Sequence, residues 1–149
     1  MADNKTIAFG CDHGGYPYKD AVIEHLKAAG YEVIDYGTYN GEPSNYPNEA
    51  FAVAECVAAG KAWKGILICN SGEGMAIAAN KVKGIRAGIA YNDQVSELMV
   101  SHNHCNVIAF GAQFASQDEV IRRIDIFLSS IEDGGRHQHR VEMIDSYGC

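Results

Sequence analysis

Short apolar runs alternate with stretches of helical periodicity along this chain. Residues 6–11 (TIAFGC) form the first run, which ends in Asp12, His13, Gly14 and Gly15 and reads as a buried strand entering a loop. Val22, Leu26 and Ala29 then recur at helical spacing, and Gly30 stands where a helix-ending glycine belongs. Residues 31–36 (YEVIDY) alternate as a strand does, and a polar loop with Gly37, Asn40, Gly41, Pro43 and Pro47 follows. Phe51, Ala54, Val57 and Ala58 mark a second helix closing near Gly60. The clearest buried strand is 65–69 (GILIC), which empties into Asn70, Ser71, Gly72, Glu73 and Gly74 before a helical stretch over 76–81.

Residues 85–90 predict a fourth strand, and Asn92 is placed to cap a helix carrying Val95, Leu98 and Met99 on one face. Residues 106–110 (NVIAF) predict a fifth strand. Ser116 and Glu119 have capping-box spacing, ahead of an apolar helical face of Val120, Ile121, Ile124, Phe127 and Leu128. Gly134 and Gly135 close that segment, and 136–147 reads as a terminal helix. Five strands alternating with helices predict an α/β fold with a parallel sheet covered on both faces. Ligands of such sheets bind beyond the carboxyl ends of the strands. Three clusters are therefore expected to converge there: Asp12 with His13, Cys69 through Gly74, and Tyr91 through Asp93.

Composition narrows the classes. The chain has 149 residues, 47% hydrophobic and 21% charged, with 3 prolines, which fits one domain over 1–149. Twelve basic against nineteen acidic residues give a formal charge of −7, so a nucleic-acid backbone meets net repulsion. The polar N-terminus and the shortness of every apolar run predict neither a signal peptide nor a membrane span, hence a cytoplasmic protein. Cysteines at 11, 56, 69, 105 and 149 form an odd set without a CxxC pair, as expected of reduced thiols.

The chemistry centres on Cys69. It ends a strand ahead of a Gly-x-Gly loop and a helix, an arrangement that turns backbone N–H groups toward an anion and favours a thiolate. A buried thiol that merely finishes a strand has the same pattern. A cysteine phosphatase loop is excluded because Met75 stands where its arginine belongs, and no Walker or dinucleotide motif is present. Glu73 is either a base or a solvated first-turn carboxylate complementing the helix dipole. Asp12 and His13 pair an acid with an imidazole, or else form an ordinary turn. His102, Asn103 and His104 lack a convincing metal-ligand spacing. Arg136 and Arg140, four apart, present two guanidinium groups on one helix face, able to grip one phosphate; a solvated face has the same spacing.

Taken together, IAFGCDHGG at 7–15, EVIDYGT at 32–38, NYP at 45–47, GILICNSGEGMAIAANKVKGIRA at 65–87, HNHCNVIAFG at 102–111 and GGRHQHRVE at 134–142 carry a resemblance. The chain resembles the type B ribose-5-phosphate isomerases, in the sugar-phosphate isomerase family that also holds galactose-6-phosphate isomerase subunits. The resemblance implies a Rossmann-like three-layer sandwich, no metal or organic cofactor, a phosphorylated sugar as substrate, and a site shared across a homodimer, possibly assembled further into a tetramer. The terminal segment 136–149 is then expected to pack on a partner chain.

Position by position, it implies that Cys69 moves a proton between C1 and C2, and that Ser71 with the backbone of Gly72, Glu73 and Gly74 holds the enediolate charge. It implies His102 as the ring-opening group and Asp12 near the ring oxygen. Tyr46 and Asn103 bind hydroxyls, and His13, Arg136 and Arg140 clamp the phosphate. A thiol of ordinary pKa about 8.5 lies nearer neutrality than a carboxylate at about 4.3, which favours a thiol base over a carboxylate one. The implied reaction interconverts ribose 5-phosphate and ribulose 5-phosphate; a six-carbon sugar phosphate such as allose or galactose 6-phosphate, or a non-catalytic sugar-phosphate-binding role, is the alternative. The chain departs from the family pattern at Asn70, Glu73, His104 and Gln113, the last where many relatives carry arginine. The Glu73 carboxylate is expected to point away from the enediolate, which it would repel.

Overall fold

The computed structural model describes residues 4–148, so the Cys149 thiol and the first residues of the polar N-terminus lie outside it. Five strands, β1 (Thr6–Cys11), β2 (Glu32–Asp35), β3 (Lys64–Cys69), β4 (Ala87–Ile89) and β5 (Val107–Gly111), alternate with α1 (Tyr16–Ala28), α2 (Tyr46–Ala58), α3 (Glu73–Ala79), α4 (Asp93–Ser101) and α5 (Gln117–Ser129); α6 (Arg136–Ser146) follows. All strand pairs are parallel, in the order β2-β1-β3-β5-β4. The chain moves outward from β1 to β2 and then crosses back to β3, so the order reverses between β1 and β3. Such a reversal opens a crevice beyond the carboxyl ends of those two strands.

Pleat alternation divides the core. Ile7, Phe9, Ile66, Ile68, Ile108 and Phe110 pack with Val22 and Leu26 of α1, Val100 of α4, and Ile124 and Phe127 of α5. Ala8, Leu67, Cys69 and Ala109 face the opposite layer, where Val53 and Ala54 of α2 meet Met75 and Ala79 of α3. Every residue of β3 is buried, as a central parallel strand covered on both faces must be. A fully buried Ile, Leu or Phe contributes about 1.5–3 kcal/mol through apolar area removed from water. Among the described residues no helix is long and apolar enough to cross a membrane.

The expected caps form. The Asn92 side chain accepts the Val95 N–H at 2.7 Å, and Ser116 and Glu119 bond reciprocally as a capping box. Two helix starts differ from the sequence reading. The second helix begins at Tyr46, because Asn45 is extended and Pro47 sits in the first turn, where its missing N–H forgoes no helical bond. The third begins at Glu73: Gly72 adopts the left-handed φ of 84° that ends the loop, and Gly74 lies inside the helix.

The last helix docks at the opposite end of the sheet from Cys69. Arg86, just before β4, contacts Asp145 through Nη1 at 2.8 Å and donates from Nε and Nη2 to the His104 carbonyl. Val141 is buried on that side, while Met143 and Ile144 stay exposed.

Candidate active site

At the carboxyl end of β1, Asp12 is buried and its Oδ1 accepts N–H bonds from Gly14 at 2.8 Å and Gly15 at 3.2 Å. That turn projects His13 outward, where its Nδ1 accepts the Ser44 N–H at 3.3 Å. An imidazole that accepts at Nδ1 carries its proton on Nε2, so the exposed His13 ring keeps a donor there.

Next to it, β3 delivers Cys69. The Gly72 N–H donates to its Sγ at 3.1 Å, and the Glu73 N–H donates to Ser71 Oγ at 3.3 Å. Two of the loop amides are thus aimed at the thiol and the hydroxyl themselves, at the start of α3. Tyr46 closes the crevice from α2: a Cβ added to Gly74 would come within 2.5 Å of its ring. The glycine is there because the tyrosine ring lies on its backbone. Burial pushes Cys11 up to about 12 and Cys105 to about 11, which keeps both protonated and unreactive at neutral pH.

Asn70 and Gln113 touch: Asn70 Nδ2 donates to Gln113 Oε1 at 2.7 Å. They tie the loops after β3 and β5 together beside Cys69. Glu73 is exposed on the first turn of α3, and with Ser71 it lines a cavity of about 850 Å³. Its first-turn position is the one that complements the helix dipole. Of the third expected cluster, Asp93 bonds Arg122 and Arg123, Arg122 foremost holding its carboxyl below the usual range. Asp93 thereby braces α4 against α5 and does not join Cys69. Tyr91 does line the cavity beside Ser71.

The remaining residues lie elsewhere. His102, Asn103, Arg136 and Arg140 stand at the amino end of the sheet, before β5 or on α6. A six-residue strand at about 3.3 Å per residue puts that end roughly 15–20 Å from Cys69. There the His102 ring stacks on His137, with centroids 4.0 Å apart and planes 7° from parallel. Desolvation and the neighbouring His102 and Arg136 charges hold His137 below the ordinary imidazole range. Arg136 and Arg140 are exposed. Ligand atoms of His102, Asp133 and His137 lie within 4.8 Å of one another. Stacked rings keep their in-plane lone pairs nearly parallel, whereas a tetrahedral ion at about 2.0–2.1 Å needs them to converge.

Reading along the sequence found the groups that directly follow a strand and missed those that act across the fold. Neither the Ser44 amide nor the His137 stack was expected. The i, i+4 spacing of Arg136 and Arg140 did point to that helix, although only as a phosphate grip.

The chain belongs to the Ribose/Galactose Isomerase family, which residues 7–144 match. It is 45% identical over 140 residues to ribose-5-phosphate isomerase B of Escherichia coli (strain K12), covering 94% of each chain. Its fold superposes on that of ribose-5-phosphate isomerase B from Clostridium thermocellum with a TM-score of 0.92, at 41% identity and covering 94% of this chain and 95% of the other. The enzyme from Mycoplasma genitalium with bound ribulose-5-phosphate gives a TM-score of 0.91 at 37% identity, covering 95% of both.

Proposed function

We propose that this protein is an aldose–ketose isomerase that interconverts ribose 5-phosphate and ribulose 5-phosphate. The observation that carries the reading is the Cys69 thiol, facing an inward-turned amide beside Ser71 in a chain 45% identical to a ribose-5-phosphate isomerase B. In the open-chain aldose, Cys69 takes the proton from C2, and the electrons move into an enediolate. Ser71 and the 72–74 backbone hold the charge on O1 and O2, the sulfur returns the proton to C1, and the O2 hydroxyl proton passes to O1, leaving the C2 carbonyl of the ketose. Preset donors at a developing oxyanion are each worth about 10²–10³ in rate. Asp12 stands near the ring oxygen, Tyr46 binds a hydroxyl, and the His13 Nε2 donor meets the phosphate.

The ring-opening imidazole and the arginine clamp come from a second copy. Ile77, Tyr91 and Phe114 are 65%, 70% and 73% exposed, more apolar surface than a monomer keeps without a use. They border the cavity beside Ser71, and Tyr91 also lines a second cavity of about 490 Å³ that reaches Asn103 and Ile144. One apolar groove therefore follows the β4 edge from the Ser71 end of the sheet to the Asn103 end. A two-fold axis across it sets each chain's amino-end cluster against the other's carboxyl-end crevice. In this dimer the partner subunit's His102, Asn103, Arg136 and Arg140 complete the site, and α6 packs on the partner.

Purified protein assayed with ribose 5-phosphate, allose 6-phosphate and galactose 6-phosphate tests the reading. The highest kcat/KM is expected for ribose 5-phosphate; a higher value for a six-carbon sugar replaces the assignment, and no turnover with any of them ends it. Arg140→Ala is expected to raise KM about tenfold with kcat largely kept, because a clamp remote from the reacting carbons binds ground and transition states alike. An unchanged KM removes Arg140 from the clamp.

A further inference from the structure

Residues 36–45 connect β2 to α2 without regular structure, yet they supply the Ser44 amide that holds His13 and lead directly into Tyr46. Backbone bonds from Cys11 to the Gly37 carbonyl and from Thr38 to the Cys11 carbonyl start this loop along β1, and a cation beneath it ties the rest. Lys19, on α1, is only 6% exposed, and its Nζ lies 2.7 Å from Asp35 Oδ2 and donates to the Thr38 carbonyl at 2.7 Å. The same ammonium sits 4.6 Å from the centroid of the Tyr39 ring, within cation–π range. Its partners are themselves tied to the loop. The other Asp35 oxygen accepts the Gly37 N–H at 2.9 Å, and the Tyr39 hydroxyl donates to the Asp35 carbonyl at 2.8 Å. Tyr16, three residues before Lys19, donates its hydroxyl to the Tyr39 carbonyl at 3.3 Å.

We propose that Lys19 is a positioning residue: its buried ammonium pins residues 37–44 over the carboxyl end of β1 and so sets the places of His13 and Tyr46. The inference rests on the reading above that those two side chains meet the substrate. Both polar contacts of Nζ go to the strand end and loop on the way to Ser44, and neither goes to the sheet core. A buried ion pair is weak evidence for stability, because desolvation offsets much of the attraction, but its directional contacts hold one arrangement against others. An apolar side chain here would leave the Asp35 carboxylate and the Thr38 carbonyl without their partner, and the loop would reorganise to rehydrate them.

The test compares wild type, Lys19→Met, Lys19→Arg and Asp35→Asn by hydrogen–deuterium exchange, ribose 5-phosphate kinetics and calorimetric titration with inorganic phosphate. In Lys19→Met the 37–44 amides are expected to exchange about tenfold faster while α5 keeps its protection. KM rises about tenfold, kcat stays within about threefold, and phosphate affinity falls, because oriented binding groups are lost in ground and transition states alike. Lys19→Arg, which keeps a cation able to reach Asp35 and the Thr38 carbonyl, recovers most of the KM. A merely structural lysine would lower Tm without this split between KM and kcat.

Unchanged loop exchange in Lys19→Met overturns the pin, and a loosened loop with unchanged KM and phosphate affinity overturns its link to the site. Should Lys19→Met not fold, Asp35→Asn keeps the cation, weakens its partner and carries the same expectations at smaller size. If wild type turns over no ribose 5-phosphate, the function assignment fails separately, and loop exchange with phosphate affinity still decides the pin.

Discussion

Replacing Cys69 with alanine is expected to lower kcat about 10²–10⁴-fold, the usual worth of a positioned proton-transfer group, with KM near the wild-type value. The thiol accepts the Gly72 N–H and ends the fully buried central strand, which holds it still. Its removal takes away the step between C1 and C2 and leaves the phosphate and hydroxyl contacts in place. Steady-state kinetics measure the loss. Deuterium entering the substrate from D₂O, followed by NMR, should vanish with it, since that exchange reports the same proton transfer. Glu73→Gln is the counterpart: an exposed first-turn carboxylate that only complements a helix end should leave kcat within about threefold. The opposite pattern, with Glu73→Gln inactive and Cys69→Ala active, would move the base to Glu73.

Much of the fold was legible because β1, β3 and β5 are short apolar runs with abrupt polar ends, and because the caps at Asn92 and Ser116 are local chemistry. The start of α2 was not, since Pro47 serves equally in a loop or a first helical turn, and only the backbone of Asn45 decides between them. The start of α3 was hidden for a related reason: Gly74 has the composition of a loop, but it lies in the helix to make room for the Tyr46 ring. The site divides in the same way. That Asp12, His13 and Cys69 lie at one end of the sheet could be read because each sits at or just past the end of a strand, and every parallel strand ends on the same side. Periodicity could not show that Lys19 reaches beneath residues 37–44, or that His137 lies on His102, because those contacts join segments far apart in the chain. Nor did it show that one copy of the chain holds the two halves of the proposed site at opposite ends of its sheet. In the proposed dimer that separation has a chemical purpose.

It also gives the dimer a decisive test. Cys69→Ala and His102→Ala should each be nearly inactive alone, since each removes one half of both sites. When the two variants are mixed, dissociated and reassembled at equal concentration, half of the dimers are mixed ones. Each mixed dimer pairs an intact crevice on one chain with an intact His102 on the other at one site, and has both groups missing at its second site. Activity should therefore return to about a quarter of the wild-type value. If both groups acted within one chain, every chain would still lack one of them and mixing would restore nothing. The groove gives an independent check through its apolar rim. Phe114→Asp places a charge on the 73%-exposed residue that lines the cavity with Ser71. Burying that unpaired charge opposes assembly, so sedimentation should find monomers that remain folded, and turnover should fall with the dimer fraction. Monomers of full activity would show that a single chain suffices.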